Sequence, residues 1–163
     1  MEIIKNILES ELTFMICDRE FRLKNQFIKY LINQRESYLI KSKEMINYNL
    51  SSSSGFVFND CITSEEILNI VCNVKNKNIF LLEPFSSIVF EKKNNLNFIN
   101  QFIRSLSYYL RDSVNKLFMY NHSYNLPSTI LYSSTIYFNI DVEKIDIIKN
   151  RYGDNGQFNL HYS

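Results

Sequence analysis

Between Ile99 and Leu117 the apolar residues Ile99, Phe102, Ile103, Leu106, Leu110, Val114 and Leu117 return every three or four positions and trace one stripe. That spacing predicts one long amphipathic helix over residues 96–120, with Arg104, Arg111, Asp112 and Lys116 turned away from the stripe. A helix with so much apolar surface has to pack on its own neighbours, on the rest of the chain or on a second copy. The 45% apolar content of the 163 residues is enough for a core, which excludes wholesale disorder. The segment does not read as a membrane span. Its charges are costly in lipid, and no stretch of the chain reaches about 18 uncharged apolar residues.

Charge and composition exclude further classes. Lys and Arg number 18 against 17 Asp and Glu, so the chain is neither a polybasic nucleic-acid coat nor an acidic mimic. Cys17, Cys61 and Cys72 are odd in number and form no Cys-x-x-Cys pair, which predicts reduced thiols and no zinc site. Only 3 Gly and 2 Pro exclude collagen-like, linker-rich and Gly-loop nucleotide-binding designs, and no cofactor is implied. The opening Met1-Glu2-Ile3-Ile4-Lys5, followed by Glu9 and Glu11, has no signal-peptide character, so the expected location is cytoplasmic.

Local patterns then divide the chain. Leu12-Thr13-Phe14-Met15-Ile16-Cys17 is a nearly continuous apolar run. With the polar Asp18-Arg19-Glu20 and the alternating Phe21 and Leu23 it reads as a hairpin, a helix being the alternative. Phe27, Ile28, Leu31 and Ile32 predict a helix from Asn25 to about Gln34. Tyr38-Leu39-Ile40 breaks it, a second short helix follows over 41–47, and Ser51-Ser52-Ser53-Ser54-Gly55 reads as a loop. Thr63-Ser64-Glu65-Glu66 is a capping box. The helix it opens puts Ile67, Ile70, Val71 and Val74 inward and Asn69, Cys72, Asn73 and Asn76 outward. Ile79 to Leu82 and Ile88 to Phe90 read as two strands of a hairpin about Pro84. Lys92-Lys93-Asn94-Asn95 is the expected internal boundary. Beyond the long helix, Pro127 blocks helix continuation, Thr135 to Ile140 is β-rich, and Asp154-Asn155-Gly156 signals a tight turn.

In this order residues 10–93 resemble the winged helix of the OmpR- and ToxR-like transcription regulators. The likeness rests on Leu39-Ile40-Lys41-Ser42-Lys43-Glu44-Met45-Ile46 as the run joining the first two helices. It rests also on Val71, Val74, Lys75 and Lys77 ending the third helix and on Ile88-Val89-Phe90 as the wing strand. The fold expected is therefore α+β: a winged-helix-like domain over 8–93, and a module over 94–163 made of a long helix and a few antiparallel strands. The resemblance implies a DNA-binding transcription regulator whose 63–77 helix enters the major groove of double-stranded DNA.

Asn69, Asn73 and Asn76 would then meet base edges, since an Asn amide bonds adenine bidentately, while Lys75, Lys77 and Lys92 would meet phosphates. A plain solvated helix face explains the same residues without DNA. Segment 96–120, where Tyr108 and Tyr109 stand beside Arg104 and Arg111, is the expected surface for a homodimer or a partner protein. His122 and His161 lack a local catalytic partner, so no catalytic or metal residue is assigned and the chain is expected not to be an enzyme. The alternative function is a protein-interaction protein, an immunity protein or secretion adaptor.

Overall fold

The computed structural model describes residues 2–17, 22–42, 53–58, 60–75, 77–90, 96–123, 125–140, 144–153 and 155–159. Strand β1, Leu12–Cys17, is buried at all six positions. A strand can be apolar on both faces only where both faces are covered, which is the signature of a central strand in a helix-covered parallel sheet. That is where β1 lies, parallel to β5 (Lys116–Asn121) on one side and to β6 (Ile136–Ile140) on the other. Strands β2 (Ser37–Ser42), β3 (Ser53–Phe58) and β4 (Asn78–Pro84) extend the parallel part beyond β5. Strands β7 (Lys144–Asn150) and β8 (Gly156–Asn159) add an antiparallel edge beyond β6. The order is β3-β2-β4-β5-β1-β6-β7-β8.

Helices cover both faces. On one, α1 (Glu2–Glu9) and α2 (Arg22–Gln34) set Ile3, Ile7, Phe27, Ile28 and Leu31 against Met15, Phe80, Phe118 and Phe138. On the other, α3 (Ser64–Asn73), α4 (Leu96–Asp112) and α5 (Ser128–Ser133) set Ile67, Val71, Phe102, Ile103, Leu106 and Ile130 against Phe14, Ile16, Leu81 and Met119. This is a three-layer α/β architecture, not the expected α+β one, and it holds no winged helix. The sheet interleaves the two expected units: β5 and β6, from 94–163, flank β1, from 8–93.

Particular elements differ from expectation for identifiable reasons. The run at Leu12–Cys17 forms no hairpin; its partners are β5 and β6, far along the chain. Tyr38-Leu39-Ile40 is the middle of β2, and Lys41 and Ser42 belong to that strand instead of opening a helix; residues 43–50 lie outside the described ones. The serine run enters a strand because β3 approaches β2 so closely at Gly55 that a methyl group there would overlap the Leu39 carbonyl. Pro84 ends β4 and leads into a 3-10 turn, Phe85–Ser87, so no second strand returns beside β4. Instead Val89 bridges in parallel to Thr63, with Ser64 N donating to Val89 O at 2.9 Å and Val89 N to Ile62 O at 2.9 Å.

The stripe is a helix only to Asp112. Ile99 to Leu110 pack as expected, but Val114 is exposed and Leu117 belongs to β5. The capping box forms, with Glu66 N donating to Thr63 Oγ1 at 3.2 Å.

Asn115 makes the sharp change from α4 to β5 possible. It is fully buried; its Nδ2 donates to Val71 O at 3.0 Å and to Val74 O, and its Oδ1 accepts from Lys77 N at 3.1 Å. One amide thus satisfies the open carbonyls at the end of α3 and joins them to the starts of β4 and β5. Asn115→Leu is expected to lower unfolding free energy by about 2–3 kcal/mol, because it strands buried backbone groups. Gly55→Ala is expected to cost at least about 2 kcal/mol, because β2 and β3 must separate. Urea denaturation of both variants measures these losses.

Candidate functional site at the carboxyl edge

In an open sheet of parallel strands the carboxyl ends share one edge, and the loops leaving them form the natural ligand crevice. Here a cleft of about 590 Å³ opens over the ends of β4 and β5. One wall is the segment after β4, with Phe85, Ser86 and Phe90; the other is the segment after β5, with His122, Ser123 and Leu126, and Ile99 of α4 borders it. Among the described residues that line it, none is Asp, Glu, Lys or Arg.

The floor is an aromatic cluster. Phe85 meets Phe14 edge-on at 5.8 Å, Phe90 meets Phe102 edge-on at 5.3 Å, and Phe14 stacks on Tyr137 at 5.8 Å. Such rings are large, rigid and apolar, so the floor keeps its shape without a ligand. Asn121, the last residue of β5, ties the walls together. Its Oδ1 accepts from Ser86 N at 3.3 Å, and its Nδ2 donates to Ser123 O at 3.3 Å.

His122 follows directly. Its Nδ1 lies 3.2 Å from the carbonyl oxygen of Cys17 and 3.8 Å from Cys17 Sγ, at the end of β1. A carbonyl only accepts, so Nδ1 carries the proton, and in the neutral ring Nε2 holds the lone pair. The Tyr120 ring packs edge-on against the imidazole at 5.6 Å, and Tyr120 OH donates to Leu82 O at 3.2 Å. Cys17 is buried, which keeps its thiol from solvent, whereas Cys61 and Cys72 are exposed; none of the three forms a disulfide.

The residues expected to read DNA lie elsewhere. Asn69, Asn73 and Lys75 are exposed on or just after α3, away from this cleft. Lys77 is half-buried and pairs with Glu36. Asn76 and Lys92 lie outside the described residues. Among the described residues no wing stands beside α3. His122 was legible as a residue but not as a site: read as a loop histidine without partners, it meets Cys17 at the end of the neighbouring β1 and Tyr120 on β5, the strand it follows. The available signal was the polar Asn121-His122-Ser123 directly after the apolar run of β5, at the end of what proves to be a parallel strand.

No protein-family model matches the chain, and no curated protein matches it either. Solved structures do. The chain is similar to the flagellar accessory protein FlaH from Methanocaldococcus jannaschii, with a TM-score of 0.62 at 13% identity, over 99% of this chain and 92% of that one. It is similar to the RadB recombinase, with a TM-score of 0.66 at 10% identity, over 94% of this chain and 89% of that one. At these identities the likeness shows the fold alone, a RecA-like α/β fold, which overturns the winged-helix assignment and the transcription regulator drawn from it. It gives no support to the interaction-protein alternative. The expectation that the chain is not an enzyme falls as well: it rested on the lack of a local catalytic motif, and a RecA-like fold carries no such exclusion. Among the described residues no helix is long and apolar enough to cross a membrane.

The fold raises the question of a nucleotide. P-loop proteins cradle phosphates on G-x-x-x-x-G-K-[ST] between a strand and the following helix, with backbone N–H groups turned inward around glycines. Here β1 ends at Cys17, α2 starts at Arg22, and the connection between them reads Asp18-Arg19-Glu20-Phe21. The chain's glycines are Gly55, Gly153 and Gly156, none of them in that connection, which carries two carboxylates instead. These residues do not fit a phosphate cradle. Asn121→Ala is expected to cost about 1–3 kcal/mol and to speed hydrogen exchange at the Ser86 amide, which loses its acceptor. Amide exchange followed by NMR checks this, and unchanged protection at Ser86 would show that the clasp does not hold the wall.

Proposed function

We propose that this chain is a RecA-like domain that binds a small, uncharged and largely apolar organic molecule at the carboxyl edge of its sheet, in the cytoplasm. The observation that carries the reading is the cleft over β4 and β5, with its aromatic floor and its few polar groups on Ser86, Asn121, His122 and Ser123. A concave site of several hundred Å³, apolar with a few convergent hydrogen-bonding groups, is the usual form of a small-molecule pocket. Among the described residues its walls carry no Asp, Glu, Lys or Arg, so there a phosphate or carboxylate would shed its hydration without compensation. The imidazole of His122 supplies a polar contact at one end. A cytoplasmic location accords with three cysteines that form no disulfide.

A thermal-shift screen of neutral aromatic and alicyclic fragments tests the reading. A fragment at about 100 times its dissociation constant stabilises by about 2.7 kcal/mol, which raises Tm by roughly 5–10 °C. Ile99→Trp, which fills the cleft from its α4 side, is expected to abolish that shift while the protein stays folded. Mg·ATP at the same concentration is expected to leave Tm unchanged. Fragments that stabilise the wild type and Ile99→Trp equally, or a Tm raised by Mg·ATP alone, would overturn it.

A further inference from the structure

A second cleft, of about 370 Å³, lies at the opposite, amino edge of the sheet. It opens between the last turns of α4, the end of α5 and the turn after β7. Its walls hold three guanidinium groups, those of Arg104, Arg111 and Arg151, and one carboxylate, that of Glu11. Among the described residues neither Arg104 nor Arg111 has an ion-pair partner. Arg151 is oriented by donating from Nη2 to Tyr132 O at 3.2 Å. Beside it, Lys149 Nζ donates to Leu131 O at 2.8 Å and Tyr132 O at 2.7 Å, so the carbonyl end of α5 anchors both cations. Burial, and after it the Arg151 charge, push Lys149 below the usual lysine range.

Two further features point to a ligand. Ser107 Oγ, in the wall, is buried without a hydrogen-bond partner among the described residues, although such groups are normally satisfied. The rim carries Tyr108 and Tyr132, 61% and 72% exposed, which places both rings outside the core. Guanidinium forks match phosphate oxygens, and an exposed phenol ring is a platform on which a planar base stacks.

From this arrangement we infer that the amino-edge cleft binds a phosphate monoester carrying a planar ring, a free nucleoside monophosphate. The arginines and the Ser107 hydroxyl take the phosphate oxygens, and Tyr108 or Tyr132 takes the base. The cleft's volume falls within the roughly 300–1,000 Å³ of small-molecule sites. The inference stands apart from the proposed carboxyl-edge ligand, which is uncharged and lies across the sheet.

Titration of the whole chain with AMP tests it. The chain has 11 Tyr and no Trp, so tyrosine emission reports directly on the rim. Saturable binding with Kd below about 1 mM is expected, with Arg104→Gln and Arg111→Gln each weakening it about tenfold or more. All the sites changed are exposed, so the variants keep the fold, and circular dichroism checks that. Tyr132→Ala is expected to weaken AMP but not inorganic phosphate, and Asn69→Ala, on a distant helix, to change neither. Absence of saturation by about 10 mM, or equal affinity in the double arginine variant, overturns the inference. So does a single-stranded oligothymidylate that binds more than about 100-fold tighter than AMP, which would make the cleft one station of a strand surface. A hexaglutamate peptide that binds through the same arginines while AMP does not compete would assign the cleft to an acidic protein segment, and overturns it too.

Discussion

Strand β1 is closed to water on both faces and along both edges, and the rest of the molecule is arranged to keep it so. Five of its six residues divide between two cores: Met15 and Cys17 face α1 and α2, while Leu12, Phe14 and Ile16 face α3, α4 and α5. A buried backbone must find its hydrogen bonds in the sheet, so β5 and β6 have to lie alongside. Both apolar faces need helices, which dictates three layers. Parallel neighbours in turn need long crossovers, and these are the helices that do the covering.

The local elements were far more legible in the sequence than their assembly. The capped start of α3 and the buried faces of α2 and α4 follow from short-range spacing and were visible in it. The fold was not, because strand pairing across the length of the chain leaves no short-range mark. The run at Leu12–Cys17 did carry a usable signal: six apolar or small residues without alternation fit a strand covered on both faces better than a half-exposed hairpin. At Pro84 a turn residue was taken to reverse the chain, yet it led into a 3-10 turn and a bridge to Thr63. At Val114 and Leu117 the helical spacing continued by coincidence through a break that Asn115 holds together from within the core.

The glycine count had two meanings, and only one was drawn from it. Scarce glycine speaks against a phosphate cradle, and the connection after β1 has none. It does not speak against the sheet that usually carries such a cradle, since that sheet is built from apolar runs and helical crossovers. Fold and loop are separable: the architecture depends on buried area, the cradle on a few backbone conformations. The carboxyl edge kept its crevice and acquired a lining of phenylalanine, serine and asparagine.

The central place of β1 also sets an order of events during synthesis. The strand is made near the start of the chain, while its two neighbours, paired through Leu117 and Ile136, come about a hundred residues later. At ribosomal speeds of roughly 5–20 residues per second, Leu-Thr-Phe-Met-Ile-Cys waits about 5–20 seconds for its partners. For that interval a β-prone, uncharged hexapeptide is exposed to other nascent chains. The strand at the centre of the finished sheet is thus a liability until β5 and β6 arrive to pair with it.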